Sequence, residues 1–177
     1  YAANNQEDNR NAVNNTITER ALREIYLKGF EIAVKEGKAR SVMTTYNPVN
    51  GIWTAGSYDL CTTILRKEWG FDGIVMTDWW AEANTEGEKS TRGNKAPMVL
   101  AQNDLYMCVS NSLENPENDN VKERFEAGEV TRSDLQRNAK NILKFIMKSQ
   151  AMLHELNLIS KEDLEEINAQ DDDGNIS

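Results

Sequence analysis

The stretch EWGFDGIVMTDWW, residues 68–80, decides the fold class of this chain. Its centre, residues 73–77, is a short run that is apolar or β-branched on both faces. Runs of this kind are typical of a fully buried strand in a parallel sheet. The strand runs directly into the acidic residue Asp78, and two tryptophans follow.

Two further β-prone runs lie on either side of this stretch, at residues 41–46 and 104–108. Helical periodicity separates and follows these strands, over residues 16–37, 57–69, 96–102, 121–127 and 133–153. Thr16 with Glu19 predicts the N-cap of the first helix, and Asn47-Pro48 and Asn50-Gly51 predict turns after the first strand.

Strands that alternate with helices predict right-handed βαβ units and a parallel sheet. Three strands are too few for a closed barrel of eight strands and roughly 250 residues. The sequence therefore leaves a small open sheet or the last part of a barrel as alternatives.

Composition excludes several functional classes. The net charge of -9 argues against nucleic acid as a partner, because phosphate binding needs clustered Lys and Arg. No apolar run approaches the roughly 18 residues of a membrane span. The two cysteines, Cys61 and Cys108, form neither a disulfide framework nor a zinc-binding pattern. Two free thiols fit a reducing compartment, so a cytoplasmic location is expected, although the native N-terminus is not visible.

Residues suited to chemistry follow two of the predicted strands. Tyr46 ends the first strand and Asp78 ends the second, and ligands of parallel α/β proteins bind at the carboxyl ends of strands. A carboxylate can attack or stabilise an anomeric carbon, and an indole can stack on a pyranose ring. The alternative is that Asp78 caps the next segment and both tryptophans are core residues. Spacing alone favours neither interpretation. Two interpretations are also open for Arg92, in the loop that follows: a role at the rim of the active site, or solvated loop charge, which is favoured.

A resemblance to a known family adds to this pattern. Residues 68–79 resemble the nucleophile signature of family 3 glycoside hydrolases. The resemblance implies that Asp78 is the catalytic nucleophile and that Trp79 stacks on the sugar. It further implies a TIM-type (β/α)8 barrel and a mechanism that retains anomeric configuration.

Two other segments resemble the same family in the same order and spacing. Residues 41–51 resemble the preceding barrel strand, which implies that Met43 and Tyr46 line the sugar subsite. Residues 2–10 resemble the segment after the family's Lys-His sugar-binding pair, which implies a sugar contact by Arg10. A weaker match, residues 103–107, is similar to the last barrel strand. Tyr46 is also placed to hydrogen-bond and orient Asp78.

The resemblance defines what the chain is expected to be and to lack. It implies an α/β fold whose parallel βα units form the last part of a TIM-type barrel, incomplete in this chain. We expect residues 1–153 to be this barrel portion and residues 154–177 a terminal helix with an acidic tail or linker. The missing strands and a domain or loop that carries the general acid/base Glu are then partners of this chain, and the isolated fragment is expected to self-associate.

The function implied is that of a glycosidase acting on terminal non-reducing β-D-glucosidic or β-xylosidic bonds. Its substrate is a β-glucoside or β-xyloside oligosaccharide, and it needs neither metal nor organic cofactor. The alternative is a non-catalytic, sugar-binding or structural barrel fragment. Turnover of an aryl β-glucoside that Asp78→Ala abolishes distinguishes the two.

Overall fold

The computed structural model describes residues 1–107, 111, 113–163 and 165–166 of the 177-residue chain. The chain divides into two compact units, Tyr1–Asn141 and Ile142–Ser177. The described strands are β1 (Ser41–Met43), β2 (Pro48–Val49), β3 (Ile52–Trp53), β4 (Ile74–Trp79) and β5 (Leu105–Met107). The helices are α1, made of the consecutive pieces Glu19–Ala21, Leu22–Tyr26 and Lys28–Lys35, then α2 (Asp59–Glu68), α3 (Ala96–Leu100), α4 (Val121–Glu126), α5 (Arg132–Met147) and α6 (Gln150–Glu155).

A parallel three-stranded sheet forms the centre of the first unit, in the order β1-β4-β5. Met43 of β1 is opposite Met76 of β4, and Trp79 of β4 is opposite Met107 of β5. The register shifts along β4 between these two pairs. The predicted parallel α/β architecture is confirmed. Strand β4 extends further than residues 73–77, because it pairs with β5 as far as Trp79, so Asp78 lies within the strand instead of after it.

A short antiparallel hairpin, β2-β3, follows the first strand. Asn50 and Gly51 both have positive φ, +52° and +85°, as the two-residue turn of a tight hairpin requires. The Asn50 side chain donates to Ile17 O and accepts from Ile17 N, both at 2.9 Å, and so ties the hairpin to the segment before α1. The predicted turn at Asn50-Gly51 is confirmed.

Several helix and strand boundaries differ from the prediction. Strand β1 ends at Met43, so the prediction that Tyr46 ends this strand is wrong. The side chain that caps α1 is Thr18, which accepts from Ala21 N at 3.3 Å, and Thr16 is not the cap. The single helix expected over residues 133–153 is broken, because Ser149 is extended and caps α6 by accepting from Met152 N. Strand β5 begins at Leu105, one residue later than predicted, and Cys108 lies outside the described residues.

The main apolar core lies between the sheet and the first two helices. Its buried members include Leu22, Leu27 and Val34 of α1, Leu60, Cys61, Ile64 and Leu65 of α2, Val42 of β1 and Val75 of β4. Cys61 is a free, fully buried thiol, and burial raises its pKa to about 12. Among the described residues, no helix is long and apolar enough to cross a membrane.

Gly73 sits where α2 returns to the sheet, and this position has no room for a side chain. A Cβ there would lie 2.0 Å from the Arg40 carbonyl oxygen, which accepts the first strand hydrogen bond from Ile74 N at 2.9 Å. We expect Gly73→Ala to lower the free energy of unfolding by about 2–3 kcal/mol, as overpacking does.

Gly29→Ala is the matched control, since nothing lies within 4 Å of a Cβ added to this glycine of α1. Alanine within a helix is expected to raise stability there by about 0.5–1 kcal/mol. Urea unfolding followed by tryptophan fluorescence measures both variants. Equal stability of the two alanine variants would show that the close approach at Gly73 is not a constraint.

Candidate active site

Asp78 is the penultimate residue of β4, at the carboxyl end of the parallel sheet. Its side chain is partly buried, and one carboxylate oxygen accepts from Trp79 N at 2.7 Å. The Tyr46 hydroxyl lies near the same carboxylate, close enough for Asp78 to contribute to a raised pKa of the phenol. Two residues that are 32 positions apart thus meet at one end of the sheet. The sequence interpretation placed Tyr46 where it can hydrogen-bond and orient Asp78, and this orienting role stays a prediction.

Tyr46 lies in the segment that connects β1 to the hairpin, three residues after the strand ends. Its ring packs against a small cluster that contains Ala55, Ala83 and Met98. Burial raises the pKa of the phenol, and the hydrogen bond and the negative charge of Asp78 add to the rise. The phenol therefore stays protonated at neutral pH and can donate to the carboxylate.

Asn47 holds the tyrosine segment in place. The side chain is fully buried, and its oxygen accepts from Thr45 Oγ1 at 3.0 Å and from Asn4 Nδ2 at 2.8 Å. Its amide nitrogen donates to Ala3 O at 3.2 Å and to Pro48 O at 3.0 Å. Sequence reasoning interpreted Asn47-Pro48 only as a turn. The buried amide instead joins residues 3–4 to the loop that carries Tyr46.

The hydrogen bonds that connect Asn47 to residues 3 and 4 bring the N-terminal segment, and with it Arg10, beside Tyr46. The guanidinium carbon of Arg10 lies 5.9 Å from the centroid of the tyrosine ring, which is the geometry of a cation–π contact. Asn4 Nδ2 donates to the Arg10 carbonyl at 2.9 Å, and Glu7 lies 3.9 Å from the guanidinium. Arg10 is exposed, so its five donors remain accessible to a polar ligand.

Met43, the last residue of β1, lines a cavity with Asp78. The cavity has a volume of about 400 Å³ and is also bordered by Asn4, Tyr26 and Phe30. Met43 is 48% exposed, so its thioether side chain stands at the surface of this space. An apolar wall beside a carboxylate and amide groups suits a sugar, whose ring has apolar faces and a polar rim.

Two exposed tryptophans stand immediately after the carboxylate. Trp79 is 50% exposed and Trp80 is 46% exposed, and their rings meet edge to face at 5.5 Å. Both tryptophans therefore lie outside the core of this chain. The guanidinium of Arg92 lies 5.9 Å from the Trp80 ring centroid. Sequence reasoning gave Trp80 no role and favoured solvated loop charge over a rim role for Arg92, because a cation in a polar loop carries no local signal of its partner.

The five residues named from the sequence therefore lie at one end of the sheet or against it. Tyr46 lies near Asp78 and against Arg10, Met43 shares a cavity with Asp78, and Trp79 is its neighbour in β4. Within the described residues, no group of three or more His, Cys, Asp or Glu side chains has the arrangement of a metal site. A carboxylate can act as a nucleophile toward an electrophilic carbon.

A carboxylate at the carboxyl end of a parallel sheet, flanked by exposed indoles, is a candidate ligand site of an α/β protein. Residues 1–145 match the family described as Glycosyl hydrolase family 3 N terminal domain. The chain belongs to this family, as the resemblance of residues 41–51 and 68–79 predicted.

Individual relatives agree with the family match. The chain is 56% identical over 156 residues to a β-glucosidase of Ruminococcus albus, covering 88% of this chain and 16% of that protein. A β-glucosidase structure from Paenibacillus barengoltzii superposes with a TM-score of 0.82 at 55% identity, over 85% of this chain and 17% of that one. β-Glucosidase 3B from Thermotoga neapolitana in complex with glucose superposes with a TM-score of 0.72 at 38% identity, over 86% of this chain and 21% of that one. The chain thus spans about a sixth to a fifth of the length of these relatives.

Proposed function

We propose that the parent protein of this chain is a retaining β-glucosidase and that Asp78 is its catalytic nucleophile. The observation that carries the proposal is the position of Asp78 at the carboxyl end of β4, near the Tyr46 hydroxyl and bordering a cavity with Met43. The substrate is a terminal, non-reducing β-D-glucosidic bond, with a β-xylosidic bond as the close alternative. Family relatives that are named β-glucosidases, one of them in complex with glucose, support the glucosidic assignment.

The proposed reaction is a double displacement. An oxygen of the Asp78 carboxylate forms a bond to the anomeric carbon while the bond from that carbon to the leaving oxygen breaks. A Glu outside this chain donates the proton that the leaving oxygen takes up. The same Glu then removes a proton from water, and the water oxygen displaces the carboxylate and restores the original anomeric configuration. Retaining chemistry of this kind places the two carboxyl groups about 5–5.5 Å apart.

The other site residues bind and orient. Tyr46 donates to Asp78 and so selects which carboxylate oxygen faces the sugar. Arg10 supplies hydrogen-bond donors for sugar hydroxyls from the rim, while Met43 and Trp79 contact the apolar parts of the ring. No step needs a metal or an organic cofactor.

The rest of the parent protein completes the site in this proposal. The β1-β4-β5 sheet forms the last part of a TIM-type barrel, and the strands of the remaining parent chain close it. The isolated 177-residue chain is then catalytically silent, and its open sheet edge makes it self-associate. Sedimentation of the isolated chain as a monodisperse monomer, or turnover of a glucoside by it, would contradict this part of the proposal.

Product stereochemistry tests the function of the full-length protein. Proton NMR during hydrolysis of an aryl β-D-glucoside shows whether β-glucose appears before the anomers equilibrate. The proposal predicts β-glucose first. Initial release of α-glucose would exclude the double displacement, and turnover of an aryl β-xyloside alone would move the assignment to the xylosidic alternative.

Tyr46→Phe tests the orienting hydrogen bond. A hydrogen bond to a charged group contributes about 1.5–3 kcal/mol, so kcat/KM toward an aryl β-glucoside is expected to fall roughly 10- to 100-fold. The phenyl ring preserves the packing against Met98, and so the melting temperature should change little.

The pH profile provides a further check on Tyr46. Its raised pKa keeps the phenol protonated, so the contribution of its hydrogen bond is fully present below pH 10 and is lost only as the pH rises through the folded pKa. The ratio of wild-type to Tyr46→Phe activity should therefore be constant from pH 5 to 9. A ratio near one throughout would show that the hydrogen bond does not serve catalysis.

A further inference from the structure

The turn of the β2-β3 hairpin carries a chemically reactive pair of residues. Asn50-Gly51 is the only Asn-Gly pair in the sequence, and Asn50 is exposed at the two-residue turn. The backbone nitrogen of the residue after an asparagine can attack the side-chain carboxamide carbon of that asparagine. Glycine has no side chain to obstruct this attack, and nothing lies within 4 Å of a Cβ added at Gly51. Packing therefore leaves this pair free to react, and water reaches it.

Hydrogen bonds from the N-terminal segment hold both reacting groups of this pair. The attacking atom, Gly51 N, donates to Asn14 Oδ1 at 2.9 Å. The carboxamide of Asn50 is held through both of its polar atoms, since Nδ2 donates to Ile17 O and Oδ1 accepts from Ile17 N, each at 2.9 Å. The main chain is attached as well, because Asn50 N donates to Asn15 O at 3.0 Å. The segment thus keeps the proton on the nitrogen and keeps the carboxamide turned away from it.

The hydrogen bond from the carboxamide cannot form again once the amide has become a carboxylate. A carboxylate at position 50 has no N–H to donate to Ile17 O, and it places a negative charge against that carbonyl oxygen. In an isoaspartate the main chain is one carbon longer, so the turn formed by the positive φ values of Asn50 and Gly51, +52° and +85°, is lost. Residues 14–17, which lead directly into α1, are then held less firmly to the hairpin.

We propose that Asn50 is a site of spontaneous deamidation whose rate is controlled by the attachment of residues 14–17 to the hairpin. When the segment detaches, Gly51 N loses its proton to hydroxide and forms a bond to Asn50 Cγ. The bond from Cγ to Nδ2 breaks, the departing nitrogen takes a proton from water and leaves as ammonia, and a five-membered succinimide remains. Water then opens the ring at either carbonyl and leaves aspartate or isoaspartate. One water is consumed and one ammonia is released without any change of oxidation state, so a reversible detachment becomes permanent.

Peptide mapping of the full-length protein measures the reaction directly, because the product differs in mass by the exchange of an amide NH2 group for a hydroxyl group. Samples are kept at mildly alkaline pH, either folded or in urea, and the converted fraction of Asn50 is followed with time. We expect conversion in the folded protein to be much slower than in urea, since only molecules with the segment detached react. Asn14→Ala, which frees Gly51 N–H, should accelerate conversion in the folded protein roughly 2- to 10-fold, the equivalent of one hydrogen bond.

Asn11→Ala is the matched control, because Asn11 is an exposed asparagine that lies just before the attached residues. This variant should convert Asn50 at the wild-type rate, and so should Asn14→Asp, which keeps the acceptor oxygen. Thermal melting verifies that the variants are folded. Equal rates for folded and urea-treated wild type, equal rates for Asn14→Ala and wild type, or no conversion of Asn50 in urea would each overturn the proposal. None of these measurements depends on glucoside hydrolysis, so the proposed function is tested independently.

Discussion

Asp78→Ala in the full-length protein is expected to lower kcat/KM toward an aryl β-glucoside on the order of 10,000-fold or more, as the loss of a nucleophile does. No other described carboxylate contributes to the raised pKa of Tyr46, so none has the position to replace Asp78. Initial rates with 4-nitrophenyl β-D-glucoside measure the loss. Asp59→Ala, which removes an exposed carboxylate from the first turn of α2, is the control and should retain near wild-type activity.

Chemical rescue separates loss of the nucleophile from loss of the fold. The methyl side chain of alanine leaves space for azide, which can attack the anomeric carbon from the face that Asp78 used. Azide is expected to restore turnover in Asp78→Ala and to yield the α-glucosyl azide, since a single displacement inverts configuration. Residual activity above about a tenth of wild type without azide would remove Asp78 from the nucleophile role.

Asp104→Ala is expected to lower the free energy of unfolding by about 3–5 kcal/mol, the cost of breaking a buried ion pair by removing one partner. Asp104 and Arg66 meet at 2.6 Å with side-chain exposures of 0% and 8%. The carboxylate also accepts from Val75 N at 3.0 Å and Asn141 Nδ2 at 2.9 Å. Burial raises the pKa of Asp104 and lowers the pKa of Arg66, so each charge depends on its partner.

Arg23→Ala removes an ion pair with the same 2.6 Å separation but a more exposed position, and so serves as the comparison for Asp104→Ala. Arg23 and Glu68 also meet at 2.6 Å, but their side chains are 35% and 40% exposed, and solvent screens the pair. Its loss is expected to cost about 1 kcal/mol or less. Urea unfolding measures the free energy of unfolding of each variant, and sedimentation verifies that the two variants have the same association state. Similar losses would show that burial does not decide the contribution of the Asp104 pair.

The parallel sheet and the position of Asp78 could be predicted because their signals are local. Residues 73–79 combine an apolar strand with a polar end, and Gly70, with φ +74°, marks the helix end before them. The same logic placed Tyr46 near Asp78, since the ends of parallel strands share an edge. Family resemblance then supplied roles that spacing could not, among them those of Met43 and Arg10.

Two of the features that escaped prediction depend on contacts between distant residues. Asn47 was interpreted as a turn residue, but its buried amide joins residues 3 and 4 to the Tyr46 loop. No periodic pattern in the sequence indicates hydrogen bonds between residues so far apart. Arg92 was interpreted as solvated loop charge, because only the fold brings it over Trp80. The break before α6 was missed because Ser149 lies within a helical apolar pattern that continues on both sides. The Ser149 hydroxyl accepts from Met152 N and so starts a new helix there, even though the apolar pattern continues through this position.

Covalent trapping tests the central claim most directly. The full-length protein is incubated with 2-deoxy-2-fluoro-β-D-glucosyl fluoride. The fluorine at C2 slows both formation and hydrolysis of the glycosyl ester, whereas the fluoride leaving group speeds its formation alone, so the ester accumulates. Intact mass followed by peptide mapping then locates the modified residue. The account predicts one adduct, on the peptide that contains Asp78, and none in Asp78→Ala. An adduct on a different carboxylate, or no adduct on a folded protein that hydrolyses glucosides, would contradict it.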